Sequence, residues 1–253
     1  MLRPLAFMLA LATLPATADA APFTLSSGVE RVALVELYTS EGCSSCPPAD
    51  RWMSGLKADP DLWRAYSPIA FHVDYWDYIG WKDRFASASH SARQRQYARE
   101  GGARAVYTPG FFRDGLEWRD WRAGSAPIGN DSRVGDLRIR IDGTKIDVAF
   151  DALDTQPGEL TVHVAVLGMG LQTQVKDGEN RGRLLNHDFV ALALASTALT
   201  HGDDGFVGSV SLPHTDIDAG DRAIVAWVSR ARAQAPLQSV GGYLTTDDRD
   251  GGR

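Results

Sequence analysis

Cysteine is scarce here, with two in 253 residues, and that scarcity excludes a good deal. Two thiols form at most one internal bridge, so this is no disulfide scaffold and its core must come from ordinary apolar packing. A tetrahedral zinc site needs four ligands, and neither a second Cys pair nor a His-x3-5-His run supplies the missing two. Basic charge is also short, with 26 Lys and Arg against 32 Asp and Glu. Nothing resembles the basic stripe that nucleic-acid binding requires. The densest basic stretch, ARQRQYAREGGAR (residues 92–104), is interleaved with Gln, Tyr and Glu and reads as the solvated face of a helix. Long apolar runs are missing too: none reaches the roughly 18 residues of a membrane helix.

The start of the chain, MLRPLAFMLALATLPATADAAPF, places Arg3 before a short apolar run (5–14) and the small-x-small site Ala18-Asp19-Ala20. That order reads as a secretory signal peptide over residues 1–20, too short to span a bilayer. The expectation is a mature chain without a membrane span, exported to an oxidising compartment and therefore periplasmic or secreted.

The texture then changes near residue 130. In the first part, VALVELY (32–38) and PIAFHVD (68–74) are β-rich apolar runs suited to buried parallel strands. Helices are expected directly after Cys43, over Ser-Ser-Cys-Pro-Pro and on through ADRWMSGLKA with Pro47 tolerated in the first turn, and over residues 84–100, the second ended by Gly101-Gly102. Asp114-Gly115 predicts a tight hairpin turn within 111–118. Beyond residue 134 the pattern is alternating β, beginning with the hairpin LRIRI-DG-TKIDVAF (137–150) and continuing at 159–168, 187–196, 205–212 and 222–231. Strands at this spacing suggest a β-sandwich. Residues 124–132 read as a linker, and the charged end, 247–253, as a disordered tail.

Both cysteines lie in TSEGCSSCPPAD (39–50), between a strand and a helix. Backbone amides and the positive end of the dipole at a helix start typically lower a cysteine pKa from about 8.5 to roughly 3.5–7.5. Cys43 would then attack a partner disulfide as thiolate, and Cys46 would resolve the mixed disulfide. Other readings stay open. A structural clip closing so short a loop contributes about 2 kcal/mol, against about 3 for fifteen residues. Cu(I) held by both thiolates and one histidine suits soft-ligand chemistry. The pair could also be inert.

The order strand, Cys-x-x-Cys helix, strand, helix, Thr-Pro, hairpin resembles the thioredoxin fold. VELYTSEGCSSCPPAD, IAFHVDYWDYIGWKDRFAS, RQRQYA and VYTPGFFRDGLEW are similar to the secreted thioredoxin-like family filed as domain of unknown function 1223, as is the later DGENRGRLLNHDFV (177–190). The resemblance implies an α/β thioredoxin-like domain over residues 29–124, followed by an antiparallel β-sandwich-like domain over 133–246. It implies Cys43 as attacking thiol, Cys46 as resolving thiol and Pro109 as a cis-proline, with Thr108 offering its backbone to a bound peptide. Glu36 would be the buried acid that helps deprotonate the second cysteine, although it stands one residue further from Cys43 than in the usual pattern; pairing with an arginine is its other reading. The third helix after the hairpin is weak, since RDWRAGSAPIG is rich in Gly and Pro, so the β domain would cover that side of the sheet.

Six of the seven tryptophans fall between residues 52 and 121, and Tyr75, Trp76, Tyr78 and Trp81 share one connection. They read as rings packed under a loop, or as an aromatic rim for a protein substrate. Along AFHVD, His72 and Asp74 share a face, which predicts a buried His–Asp hydrogen bond. The expectation is an exported thiol–disulfide oxidoreductase acting on a protein thiol or redox partner, without organic cofactor or metal. The rivals are a non-catalytic binding or envelope-stress module with a structural disulfide, and a copper-handling protein.

Overall fold

The structure is a computed structural model that describes residues 21–127, 132–203 and 205–244. The expected signal peptide, the disordered tail and the middle of the linker lie outside the described residues.

Among the described residues, fourteen strands and two α-helices follow one another in this order: β1 (Phe23–Ser26), β2 (Ala33–Thr39), α1 (Pro47–Gly55), β3 (Tyr66–His72), α2 (Ala88–Arg99), β4 (Gly110–Arg113), β5 (Leu116–Glu117), β6 (Gly135–Asp142), β7 (Lys145–Ala152), β8 (Leu160–Met169), β9 (Leu171–Gln174), β10 (Leu184–His187), β11 (Val190–Gly202), β12 (Gly205–Ser211), β13 (Asp221–Arg230) and β14 (Pro236–Leu244). Strong local signals set most of them. Pro47 and Pro48 open α1, where their missing N–H groups cost nothing. Helix α2 starts at Ala88, not Arg84, because Ser87 caps it by accepting from the Ser89 amide at 3.2 Å. The β4–β5 turn has positive φ at both Asp114 (51°) and Gly115 (84°), as the Asp-Gly signal requires.

The expected α/β thioredoxin-like domain followed by a β-sandwich-like domain is overturned. The described residues are 47% strand and 16% helix, and twelve strands from both halves of the chain form one mixed sheet. The join is made by β11. Its first residue, Val190, sits parallel to Ala70 of β3, where the Ala70 amide donates to the Phe189 carbonyl at 2.8 Å. Its far end, Thr200–Gly202, pairs with β12, and the sheet continues through β7 and β6 to β1. Alternation of period two identifies strands, but it does not say which neighbour each will hydrogen-bond.

Strands β8 and β13 pair along their whole length and form a wall between two cores. Ala223, Val225 and Trp227 of β13 face a core shared with Leu37, Phe71 and Met53. Ile224, Ala226 and Val228 face a second core shared with Ile139, Val148 and Phe150. Burial on both faces explains the unbroken apolar run AIVAWV. Residues of the second half thus share a core with the first-half strands, as parts of one continuous sheet.

Trp227 is fully buried in this wall, with the Arg93 guanidinium 4.9 Å above its ring and His163 stacked at 5.0 Å. Trp227→Ala should cost about 3–5 kcal/mol of stability in urea unfolding; a loss below about 1 kcal/mol would show that the wall does not depend on this ring.

Candidate active site at the Cys43–Cys46 disulfide

Strand β2 ends at Thr39, and the chain turns through residues 40–46 into α1. Cys43 and Cys46 are joined by a disulfide within this turn. Ser44 and Ser45 between them are exposed, whereas Cys43 is 1% and Cys46 0% exposed. The Ser45 hydroxyl stands 3.3 Å from the Cys43 Sγ.

The helix start does not match the sequence expectation. Cys46 is the N-cap of α1, so Cys43 lies a turn ahead of the helix. Of the first amides of α1, Pro47 and Pro48 have no N–H, and those of Ala49 and Asp50 donate to the Cys46 carbonyl at 2.8 and 3.1 Å. The helix start thus offers Cys43 no free amide from these four residues. The Ser44 amide is occupied as well, donating to the Glu179 carboxylate at 2.9 Å.

Three further segments close over the turn. The 3-10 turn Asp74–Ile79 packs on Gly42, where a Cβ would meet Ile79 and Trp76 at 3.2 Å, so a side chain there would push this segment away. Trp76 Nε1 donates to Thr108 Oγ1 at 2.7 Å, which brings Thr108 to the same side. The Thr108–Pro109 peptide is cis, and Pro109 is buried. Lastly, the turn at 175–183 between β9 and β10 seats Asn180, whose Nδ2 donates to the Glu41 and Cys43 carbonyls at 2.8 and 2.9 Å. The aromatic connection is accordingly packed for the most part: Trp81 donates to Glu41 at 2.8 Å, and only Tyr78 stands well out, 83% exposed.

Glu36 is fully buried on β2 and pairs with Arg93, which donates from Nε at 2.8 Å and from Nη2 at 2.9 Å. Tyr38 donates to it at 2.8 Å and Tyr97 donates to its other oxygen. With both oxygens engaged twice, this carboxylate has the structural role of an arginine partner.

A buried polar cluster lies behind the turn instead. His72 pairs with Asp83 at 2.6 Å, not with Asp74, which accepts from Ser91. Asp83 also accepts from the Glu41 amide at 2.9 Å. His187 of β10 lies 3.4 Å from Glu41 and 3.8 Å from Asp50. Burial depresses the His72 pKa, but the Asp83 carboxylate outweighs it and holds the imidazole above its ordinary value. For Asp83, burial acts upward and His72 outweighs it, so the carboxyl sits below the usual range. Burial raises Asp50, partly offset by His187 and His72. Glu41 Oε1, His72 Nε2 and both ring nitrogens of His187 have no hydrogen-bond partner among the described residues. No group of three or more His, Cys, Asp or Glu among those residues is arranged to hold a metal ion. Nor is any described helix long and apolar enough to cross a membrane.

Sequence reasoning missed Asn180, Glu179, His187 and Asp83. Nothing local in the run DGENRGR indicates that it folds back over a turn 135 residues away.

The family profile described as protein of unknown function, DUF1223, matches residues 34–229. The chain belongs to this family. Its matched span takes in the disulfide turn, the buried cluster and the turn carrying Asn180. A crystal structure of a protein from Agrobacterium tumefaciens is similar, with 25% identity and a TM-score of 0.61 over 87% of this chain and 97% of that one. HBP35 of Porphyromonas gingivalis is similar in fold, with 13% identity and a TM-score of 0.53 over 86% of this chain and 76% of that one. No curated protein matches the chain.

His90 shows how burial here couples to pH. Its Nδ1 lies 2.9 Å from the His72 carbonyl, and burial lowers its pKa from 6.5 to about 4. The unfolded chain therefore takes up this proton first, and stability is lost as pH falls through 6.5 toward 4. At 1.36 kcal/mol per pKa unit the loss is about 3 kcal/mol. His90→Asn keeps a donor near Nδ1 and should remove that part of the slope; urea unfolding of both proteins between pH 7 and 4 measures the difference, and parallel curves would refute it.

Proposed function

We propose that this protein is an exported thiol–disulfide oxidoreductase, periplasmic or secreted, acting on protein thiols through Cys43 and Cys46. One observation carries the reading: the only two cysteines of the chain are bonded to each other three residues apart, in a turn whose middle residues are exposed. A bridge closing so short a loop contributes about 2 kcal/mol by loop entropy. The surrounding turn is already held by Asn180, Trp81 and Asp83, so stapling is a weak reason for the bridge to exist. In exchange, one thiolate of a partner dithiol attacks a sulfur of the bridge, a mixed disulfide forms and the second cysteine leaves as thiolate; the partner's other thiolate then releases the first cysteine, so the partner is oxidised and the bridge reduced, and the reverse sequence reduces a partner disulfide. No organic cofactor enters these steps.

A second reading, a non-catalytic binding or envelope module with a structural disulfide, draws on the burial of both cysteines. Reduction potential separates the two, since structural bridges lie below about −300 mV. Cys46→Ala leaves Cys43 unable to release a bound partner. Its expression should accumulate mixed disulfides with other proteins, visible as bands that collapse on reduction. Absence of any such band, with a potential below about −300 mV for the wild-type pair, would leave the structural reading standing.

A further inference from the structure

We propose that the turn at 175–183 is a displaceable cover, seated on the backbone of the disulfide turn through Asn180 and Glu179, which must lift before a thiol can reach Cys43. The inference rests on the exchange chemistry proposed above, but it concerns access alone and is tested without any partner protein.

The cover is built as an internal occupant of the face that a partner would use. Asn180 is fully buried, and its one amide nitrogen holds two carbonyls of the disulfide turn, Glu41 and Cys43. Arg183 Nη1 donates to Asn180 Oδ1 at 2.8 Å and orients that amide. Glu179 accepts the Ser44 amide. Together they satisfy one donor and two acceptors of the backbone around Cys43, the kind of group that an extended peptide would pair with. Gly178 fits between Ile79 and Trp81, where a Cβ would come within 3.3 Å of both. The contact is close, but no covalent or sheet connection enforces it.

Its supports are weak where it would move and firm where it would pivot. Strands β9 and β10 form a two-stranded sheet of their own, outside the twelve-stranded one, and isolated two-stranded hairpins are marginally stable. The foot of β10 is anchored by buried His187, packed edge-on against the His72 and Phe85 rings, and Asp188 beyond it binds Lys57 at 2.8 Å. The tip is held on the disulfide turn by the two Asn180 bonds and the Glu179 bond. The Glu179 carboxylate is exposed and places negative charge beside the route of an incoming thiolate. Lifting the tip would expose Cys43, remove that charge and free the Ser44 amide in one motion.

Dithiothreitol serves as the probe. One of its thiolates attacks the Cys43 Sγ; a new S–S bond forms, the Cys43–Cys46 bond breaks, and its electron pair leaves on Cys46, which takes a proton from solvent. The second dithiothreitol thiolate then attacks the sulfur bonded to Cys43, closes the cyclic disulfide and releases Cys43 as thiolate. The protein bridge gains two electrons and dithiothreitol loses them.

Reduction rates of the full chain are compared in wild type, Asn180→Ala, Glu179→Ala and Trp227→Ala under native conditions. Asn180→Ala should be reduced about tenfold faster or more, since two hydrogen bonds to the cover are lost, and Glu179→Ala about threefold faster. Trp227→Ala destabilises the molecule without touching the cover and should stay at the wild-type rate. Wild-type rates in both cover variants would overturn the proposal, as would equal acceleration by Trp227→Ala, which would mean that reduction follows global unfolding. Should Asn180→Ala fail to fold, the exposed Glu179 position decides alone, by its rate rising or not. A protein that traps no partner, so that the functional reading fails, would still show this rate pattern if the cover is real.

Discussion

The pairing of β8 with β13 is the constraint on which the rest of the molecule hangs. Each strand presents alternate residues to two different cores, so both cores share this one pair of strands as a wall. Ala223, Val225 and Trp227 cover the sheet that carries the disulfide turn, while Ile224, Ala226 and Val228 close the β-rich half. A polar substitution on either face would bury an unpaired group at the centre of the protein. The hydrogen bond between Ala70 and Phe189 then locks β3 to β11 and fixes the two halves in one register.

That register brings distant chemistry together. With β11 held against β3, the residues just before it are drawn over α1: His187 reaches Glu41 and Asp50, and the 175–183 turn reaches Cys43. Glu41 illustrates the economy of the arrangement. Its amide is held by Asp83, its carbonyl by Asn180 and one carboxylate oxygen by Trp81, so a single residue two positions before Cys43 ties three segments to the disulfide turn. Gly42 lets the aromatic segment 74–79 lie directly on the backbone at this point.

Much of this was legible residue by residue. The helices, the Asp-Gly hairpins and most strands follow from local chemistry, and the Cys-x-x-Cys turn and the cis Thr108–Pro109 bond stand where the family resemblance puts them. What local reasoning misplaced are partnerships across the fold. His72 was paired with Asp74 because alternation puts both on one face, yet β3 ends at His72 and the chain turns away, leaving Asp83 to fill the place. Helix α1 was expected to lend amides to Cys43, but its two leading prolines remove the donors and shift the N-cap to Cys46. The separate sandwich failed for the same kind of reason: a strand buried on both faces carries no mark of which layers it will divide. Strands β1, β9, β10 and β14 went unread, β9 because four residues show too little alternation.

Asn180 follows Cys43 by 137 residues. A chain made from its N-terminus at roughly 5–20 residues per second leaves the two thiols bare for on the order of ten seconds before that amide exists. The disulfide turn is therefore complete in covalent sequence well before the segment that encloses it, and its enclosure waits on residues from the far half of the chain.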